Sequence, residues 1–452
     1  MKSESLALEA QQFLESGEAS KLEAFFDTLH PVELVELIEA SPTEHRVELL
    51  KNVKGLDQLT SIFEYGSDQL VENALPLIDE TRKVAVARRL EADNAANMLR
   101  FLNRRQQVAV LKRLSGSRVK ELKSLLSYDQ EMAGAIMTPL FIEIDKDSSC
   151  NEILTNVRAG LQSGKIDPDT DITYFYVTGE QCKLLGLCSL REILTADGET
   201  KASDIMSSNV ISVGPETDQE EVAHLIADYN FSSIPVCEGE DSRLLGIVTL
   251  DDVVDVIEEE NTEDFLKLAG TEDEDTVGAP VMTAVKSRFP WLLASWVGGV
   301  LGALILGRFE TQLEQMVALA FFMPVVFGMG GNVGSQATTI TVRGLATGDL
   351  SSLKIFSRLQ KELRASLVLG LFFGLLLAVT SWLLFADYRL CLVTSVSIVI
   401  IMTLAASIGS MVPIVFQKLG FDPAVASAPL VTTSTDILSI LIYFSIASAA
   451  LI

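Results

Sequence analysis

Through residues 1–130 apolar side chains return every three or four positions, as in Val32-Glu33-Leu34-Val35-Glu36-Leu37-Ile38 after His30-Pro31, and again from Ala95 to Leu114. That period predicts short amphipathic helices, and their similar L-x-x-L spacing predicts a small helical superhelix. The pattern changes over 131–257. Two units there end in a short apolar strand running into a turn: Leu185-Gly186-Leu187-Cys188-Ser189-Leu190-Arg191-Glu192 and Leu245-Gly246-Ile247-Val248-Thr249-Leu250-Asp251-Asp252. Met137-Thr138-Pro139 precedes the first and Asp204-Ile205-Met206 the second. From Leu250 a helix is expected to carry Asp251, Asp252, Asp255, Glu258, Glu259, Glu260, Glu263 and Asp264, to end near Gly270, and to give way to an acidic linker at Glu272–Asp275. The chain then turns apolar. Stretches at about 288–307, 315–340, 363–385, 390–415 and 424–448 each approach the roughly 20 residues that cross a bilayer core.

The duplicated strand, turn and helix start resemble a tandem pair of CBS domains, and Phe231-Ser232-Ser233-Ile234-Pro235-Val236 supplies the inner strand of the second. The expected fold is therefore a multidomain α-helical membrane protein. It comprises a helical-superhelix N domain (1–130), a tandem α/β CBS pair (131–257), a long connecting helix with its linker (258–285) and a five-helix transmembrane domain (286–452).

Charge sharpens this division. The net charge is −26, yet residues 286–452 hold seven acids and ten Lys/Arg, so the first 285 residues carry −29. Such a surface excludes nucleic acid, whose phosphates need basic partners. It suits small cations, or serves simply to keep that half soluble. Three histidines and five scattered cysteines without a C-x-x-C pair argue against a transition-metal site. The opening MKSESLALEA lacks the basic and apolar regions of a signal peptide. Lys286, Arg288, Arg343, Lys354, Arg358, Lys361, Arg364 and Lys418 fall on one side of the expected spans, with Arg308 and Arg389 on the other. By the positive-inside rule the N-terminal domains are cytoplasmic and the C-terminus outside, in a multi-pass protein of the cell (inner) membrane.

Two membrane segments carry candidate chemistry. Pro324-Val325-Val326-Phe327-Gly328-Met329-Gly330-Gly331-Asn332-Val333-Gly334-Ser335-Gln336 has glycines expected to break the helix, with Asn332 and Gln336 on one face. It lines a pore, or it is a glycine-lined helix crossing. Gly298-x-x-x-Gly302 allows close helix contact or loosens local packing. Asp436 follows Thr432 by four residues in the last span. A carboxylate at that depth costs roughly 2.5–3.5 kcal/mol, so it should face a cavity or bond a neighbouring helix. Magnesium fits such a site because it keeps several waters and uses one or two carboxylates. Cobalt and nickel are not distinguished by ligand type.

Over nearly its whole length the chain resembles the MgtE family of magnesium channels. The motifs are Pro324 with Gly328-Met329-Gly330-Gly331-Asn332-x-Gly334-x-Gln336, then Arg343-x-Leu345-Ala346-Thr347-Gly348-Asp349, then Phe421-Asp422-Pro423-Ala424 followed by Thr432-Thr433-x-x-Asp436. The resemblance implies a homodimer, a pore on its two-fold axis lined by spans two and five, and Asp436 as the ion-selecting aspartate. It implies that the acidic helix is a plug, closed by Mg2+ at Asp93, Glu220, Asp252, Asp255, Glu260, Glu263 and Asp264. Asn97 and Asn230 stand where acids are common in the family, which predicts weaker binding there. Thr249-x-x-Asp252 fits a ribose-contacting pattern, so ATP is a candidate regulatory ligand of the CBS pair; the first unit has Ser189-x-x-Glu192. No G-x-x-x-x-G-K-[ST] loop is present to drive pumping. No enzymatic role is expected. An ion-coupled secondary transporter of Mg2+ or Co2+ is the alternative, ahead of a membrane-anchored signalling protein.

Overall fold

The computed structural model describes residues 2–167, 170–239, 242–271, 281–348, 350, 355–425 and 428–451. The expected linker at 272–275, Asp349 and Lys354 lie outside them. The chain divides into two compact units, 1–257 and 258–452.

The first unit opens with short helices, from Lys2–Glu15 to Gly116–Leu125. Their apolar faces bury Leu22, Phe26, Leu34, Leu37, Ile38, Ile62, Val86 and Leu99. Polar caps stop them at short lengths: Asp79 Oδ1 accepts from Arg82 N at 2.7 Å and starts the helix Glu80–Arg89. The core of these helices is continuous with Val222, Ile226, Ile234, Val248 and Val253 of the second CBS unit. The first CBS unit keeps a separate core of Ile142, Phe175, Val177, Cys188 and Ile193.

The CBS strands are β1 (Ile142–Asp145), β2 (Tyr174–Thr178), β3 (Leu184–Ser189), β4 (Ser233–Glu238) and β5 (Arg243–Thr249). β2 pairs parallel with β1 and antiparallel with β3, while β4 and β5 pair antiparallel. Here the structure rearranges the sequence pattern. Met137-Thr138-Pro139 stands before the first unit in the chain, yet Thr138 exchanges backbone hydrogen bonds with Ile247 of β5 at 2.8 and 2.9 Å. Ser207, just after Met206, exchanges them with Leu187 of β3 at 3.0 and 2.9 Å. Gly186 and Gly246 make the crossover possible. A Cβ on either would lie 2.8 Å from the carbonyl oxygen of Ser207 or Thr138, beside the sulfur of Met206 or Met137. Each unit thus borrows the Met-containing segment that precedes the other in sequence.

The acidic helix runs Leu250–Ala269 and ends where Gly270 takes a left-handed φ of 76°. In the second unit its last turn is tied down. Lys267 Nζ bonds Asp422 Oδ2 at 2.6 Å and also pairs with Glu263. Burial pulls the Lys267 pKa down, but the two carboxylates outweigh it and hold the ammonium well above its ordinary value. The other oxygen of Asp422 accepts from Ala424 N at 2.7 Å, fixing the turn before the last span. A Cβ on Gly270 would meet Pro429 Cγ at 2.8 Å, and Thr271 Oγ1 lies 2.9 Å from Ser287 Oγ.

Five long apolar helices follow. Span one is Val281–Gly307, span two Ala318–Ala346, span three Ile355–Phe385, span four Tyr388–Lys418 and span five Ala428–Leu451. A short helix, Glu310–Gln315, joins the first two, so span two begins at Ala318 rather than near 315. The helices outrun the apolar stretches at their basic ends, because the backbone ladder continues past the last buried residue while Lys and Arg heads reach water.

Candidate ion path and cation-sensing carboxylates

Span two is one unbroken helix through its glycine run. Each glycine costs about 1 kcal/mol relative to alanine in a helix. Within a membrane, however, backbone groups have no water to turn to, so the helix is kept. The expectation of a broken helix is therefore corrected: the helix continues, and Gly330 and Gly334 serve close packing. A Cβ on Gly334 would meet Val431 Cγ1 at 3.1 Å and Thr435 Cγ2 at 3.4 Å of span five, and one on Gly330 would meet Ile401 Cγ2 of span four at 2.7 Å. Gly409 of span four lies against the Gly334 carbonyl itself. Thr338 Oγ1 bonds the carbonyls of Gly334 and Gly409 at 3.0 and 3.1 Å. In span one, Gly298 abuts Thr433 and Gly302 faces Ile440, so the G-x-x-x-G pair is a contact with span five. The Tyr443 hydroxyl donates to Leu319 O at 3.0 Å and pins span five to the start of span two.

Buried glycines alternate with an open stripe. Gly328, Asn332 and Gln336 recur every fourth residue of span two and are all exposed. A Cβ on Gly328 would meet nothing within 4 Å. Asp436 is also exposed and makes no hydrogen bond or ion pair among the described residues. The reading of Asp436 as a carboxylate bonded to a neighbouring helix is thus not what the fold builds. Thr432 is half-buried beside Gly331, its Oγ1 bonding Pro429 O at 3.2 Å. Spans two and five pack together, so one bundle presents a glycine-smoothed polar stripe and a carboxylate at membrane depth.

The sensor positions divide. Asp93, on the helix Ala92–Arg100, has Oδ1 buried without a hydrogen-bond partner, and the Asp252 carboxylate is among its negative neighbours. Burial raises the Asp93 pKa first, then the charges of Asp252 and Glu91. Burial raises that of Asp252 as well, with Asp251 and Asp255 adding to it and a 2.5 Å hydrogen bond from Thr249 opposing. An orphaned, buried carboxylate oxygen facing a second carboxylate fits a hard cation. Glu220 lies 3.7 Å from His224 one turn along its helix, and Glu263 pairs with Lys267. Glu260 and Asp264, farther along the acidic helix, are also engaged. Among the described residues no three His, Cys, Asp or Glu converge as a metal cluster.

A proton and a cation compete for Asp93–Asp252. The folded-state pKa values are raised, so the stability conferred by protonation is full below the ordinary carboxylate range near about 4 and is lost as pH rises toward neutrality. Without Mg2+, the melting temperature should therefore fall by about 2–4 °C, equivalent to about 1 kcal/mol, between acidic and neutral pH. Added Mg2+ should restore more stability at the higher pH. Calorimetry at two pH values, with Asp252→Asn as control, checks this; a pH response unchanged in the variant would contradict it.

The two departures from the acidic pattern have local reasons. Asn97 Nδ2 donates to Asp68 Oδ1 at 3.2 Å. Asn230 ends its helix at φ 56°, a left-handed conformation asparagine tolerates. Thr249 and Asp252 mirror Ser189 and Glu192, which form a reciprocal capping box at the start of Leu190–Thr195. Sequence reasoning missed the Lys267 contacts; a lone lysine on a helix dominated by acids was the available signal.

An acidic unit with a CBS pair, joined by a charged helix to five helices long and apolar enough to cross a bilayer, defines a multidomain membrane protein. The family model for the divalent cation transporter MgtE matches residues 323–446, that for the MgtE intracellular N domain 29–131, and that for the CBS domain 202–259. The magnesium transporter MgtE of Thermus thermophilus is 36% identical over 457 residues, covering 98% of each chain. That of Bacillus subtilis is 31% identical over 436 residues, covering 96% of this chain and 95% of its own. The chain belongs to the MgtE family. A solved cytosolic domain of the Mg2+ channel MgtE in complex with ATP is 30% identical, with TM-score 0.49, covering 55% of this chain and 99% of that one.

Proposed function

We propose that this protein is a Mg2+-selective channel for magnesium uptake, built as a homodimer and closed by cytoplasmic Mg2+. The observation that carries the reading is the exposed Asp436 of span five, on a helix packed against span two with its open stripe of Gly328, Asn332 and Gln336. A single bundle leaves that carboxylate facing lipid at considerable cost. A second copy across a two-fold axis turns the same face into a water-filled path with two carboxylates. Two carboxylates and a ring of amide and backbone oxygens suit an ion that travels with its waters. Cysteines placed singly at Gly328 and Asn332, in a background without the five native cysteines, should react with water-soluble thiol reagents, and the reaction should block Mg2+ flux. Cysteines that stay unreactive while flux persists would remove the path from this face.

Closure follows from charge in the same proposal. Mg2+ at Asp93–Asp252, and at Glu220, Asp255, Glu260, Glu263 and Asp264, offsets the repulsion between carboxylates and favours the closed state. The basic residues at one set of span ends support a cytoplasmic first unit. Asn97→Asp would exchange a hydrogen-bond donor for a carboxylate opposite Asp68. It should loosen the N-terminal helices without Mg2+ and, combined with Asn230→Asp, shift closure to roughly several-fold lower Mg2+, as one more carboxylate strengthens an oxygen site. Flux recorded against cytoplasmic Mg2+ reads this directly; an unchanged closure curve would end the idea. ATP is proposed as a regulatory ligand at Thr249 and Asp252. The capping role of that pair means nucleotide must share the carboxylate with the helix start.

A further inference from the structure

A cavity of about 510 Å3 opens between the end of span two and the start of span three, lined by Ile340, Arg343, Thr347, Ser357, Arg358 and Lys361. Its floor is built by a tight turn. Thr347 Oγ1 bonds Arg343 O at 3.0 Å, Gly348 takes φ 67°, and Leu350 N returns to Gly344 O at 2.7 Å. Three cations border the cavity. Arg358 is largely buried and lies 2.9 Å from Glu362, the carboxylate paired with it among the described residues. Arg343 and Lys361 are exposed and appear in no ion pair among the described residues. Two unneutralised cations, two hydroxyls and a volume suited to a small polar group describe a receptor for a phosphate-bearing anion.

The surroundings choose its source. The cavity lies at the polar end of two membrane spans. Val368 and Phe372, seven and eleven residues beyond Lys361 and so on the same face of span three, are 66% and 57% exposed, giving an apolar flank that runs on from the charged opening. Basic pockets between transmembrane helices at the interface collect lipid headgroups. We propose that this cavity binds the headgroup of an anionic phospholipid, with the acyl chains along the exposed face of span three. Phosphate shared by a lipid, a free anion and a nucleotide would satisfy Arg343 and Lys361 equally, but only a lipid uses the flank as well. The cavity uses none of Gly328, Asn332, Gln336 and Asp436; Ile340, four residues past Gln336, marks where the stripe ends.

The test uses the full-length protein in phosphatidylcholine nanodiscs with increasing phosphatidylglycerol, and native mass spectrometry to count retained lipids. Wild type should retain phosphatidylglycerol in preference to phosphatidylcholine. Arg343→Gln with Lys361→Gln should weaken retention roughly tenfold or more, each removed cation near the surface costing about a fivefold factor. Lys361→Arg should hold the lipid, and Arg389→Gln, on the other side of the bundle, should leave it unchanged. If the double variant does not fold, Lys361→Gln alone should show the partial loss. Equal retention by wild type and variant would overturn the site. Displacement of the lipid by millimolar inorganic phosphate would overturn the lipid assignment in favour of a soluble anion.

Discussion

Asp436→Asn should abolish Mg2+ uptake while leaving the protein folded. The substitution keeps size and shape and removes only charge. Because Asp436 has no hydrogen bond or ion pair among the described residues, no neighbour is left unsatisfied. What is lost is the attraction for a divalent ion. At about 4 Å and an effective dielectric near 20, one carboxylate attracts a single positive charge by about 4 kcal/mol, and a divalent ion by about twice that. Even a fraction of this amounts to a loss of roughly 100-fold or more in flux at low Mg2+. Uptake into proteoliposomes containing a Mg2+ indicator, beside size-exclusion profiles of wild type and variant, separates loss of conduction from loss of fold. A variant that eluted normally and still carried Mg2+ selectively would remove Asp436 from the path.

Gly409→Val should have the opposite signature, destroying the fold rather than the selectivity. Gly409 meets the carbonyl of Gly334 directly, and Thr338 bridges both carbonyls. No rotamer relieves a Cβ against a backbone oxygen, so spans two and four must separate. Overpacking of this kind costs about 1–3 kcal/mol or more, and separating the helices would also break the Thr338–Gly409 hydrogen bond. The detergent-solubilised variant should melt well below wild type or aggregate. Gly299→Val is the matched control, since a Cβ there meets nothing within 4 Å. Equal melting of the two variants would refute the packing role of the glycine run.

Those glycines show where the sequence is legible and where it is not. Long apolar stretches and the run of acids from Leu250 to Gly270 report their elements because one-dimensional composition decides them: length for a span, an αL glycine for a stop. The run at 328–334 does not, because a glycine's conformational freedom and its small size leave the same mark in sequence. Only the neighbours, Val431, Ile401 and Gly409, show that size is what the fold uses. The CBS segments were hidden for a related reason. Met137 and Met206 can be seen to repeat, but which strand each one serves is a long-range choice, and the chain crosses them. Asp436 and Asn332 were legible as polar groups in apolar spans, whereas their common exposure on a packed pair of helices was not. The clamp of Lys267 on Asp422 joins residues 155 positions apart, beyond any local pattern.

The most direct test of the account is Mg2+ influx into proteoliposomes holding the full-length protein, with a Mg2+ gradient and no gradient of protons or sodium. A passive path lined by Asp436 predicts influx that runs down the Mg2+ gradient alone and stops when Mg2+ is raised on the side of the acidic unit. Influx that required an opposing proton or sodium gradient would contradict the channel and leave a coupled transporter in its place.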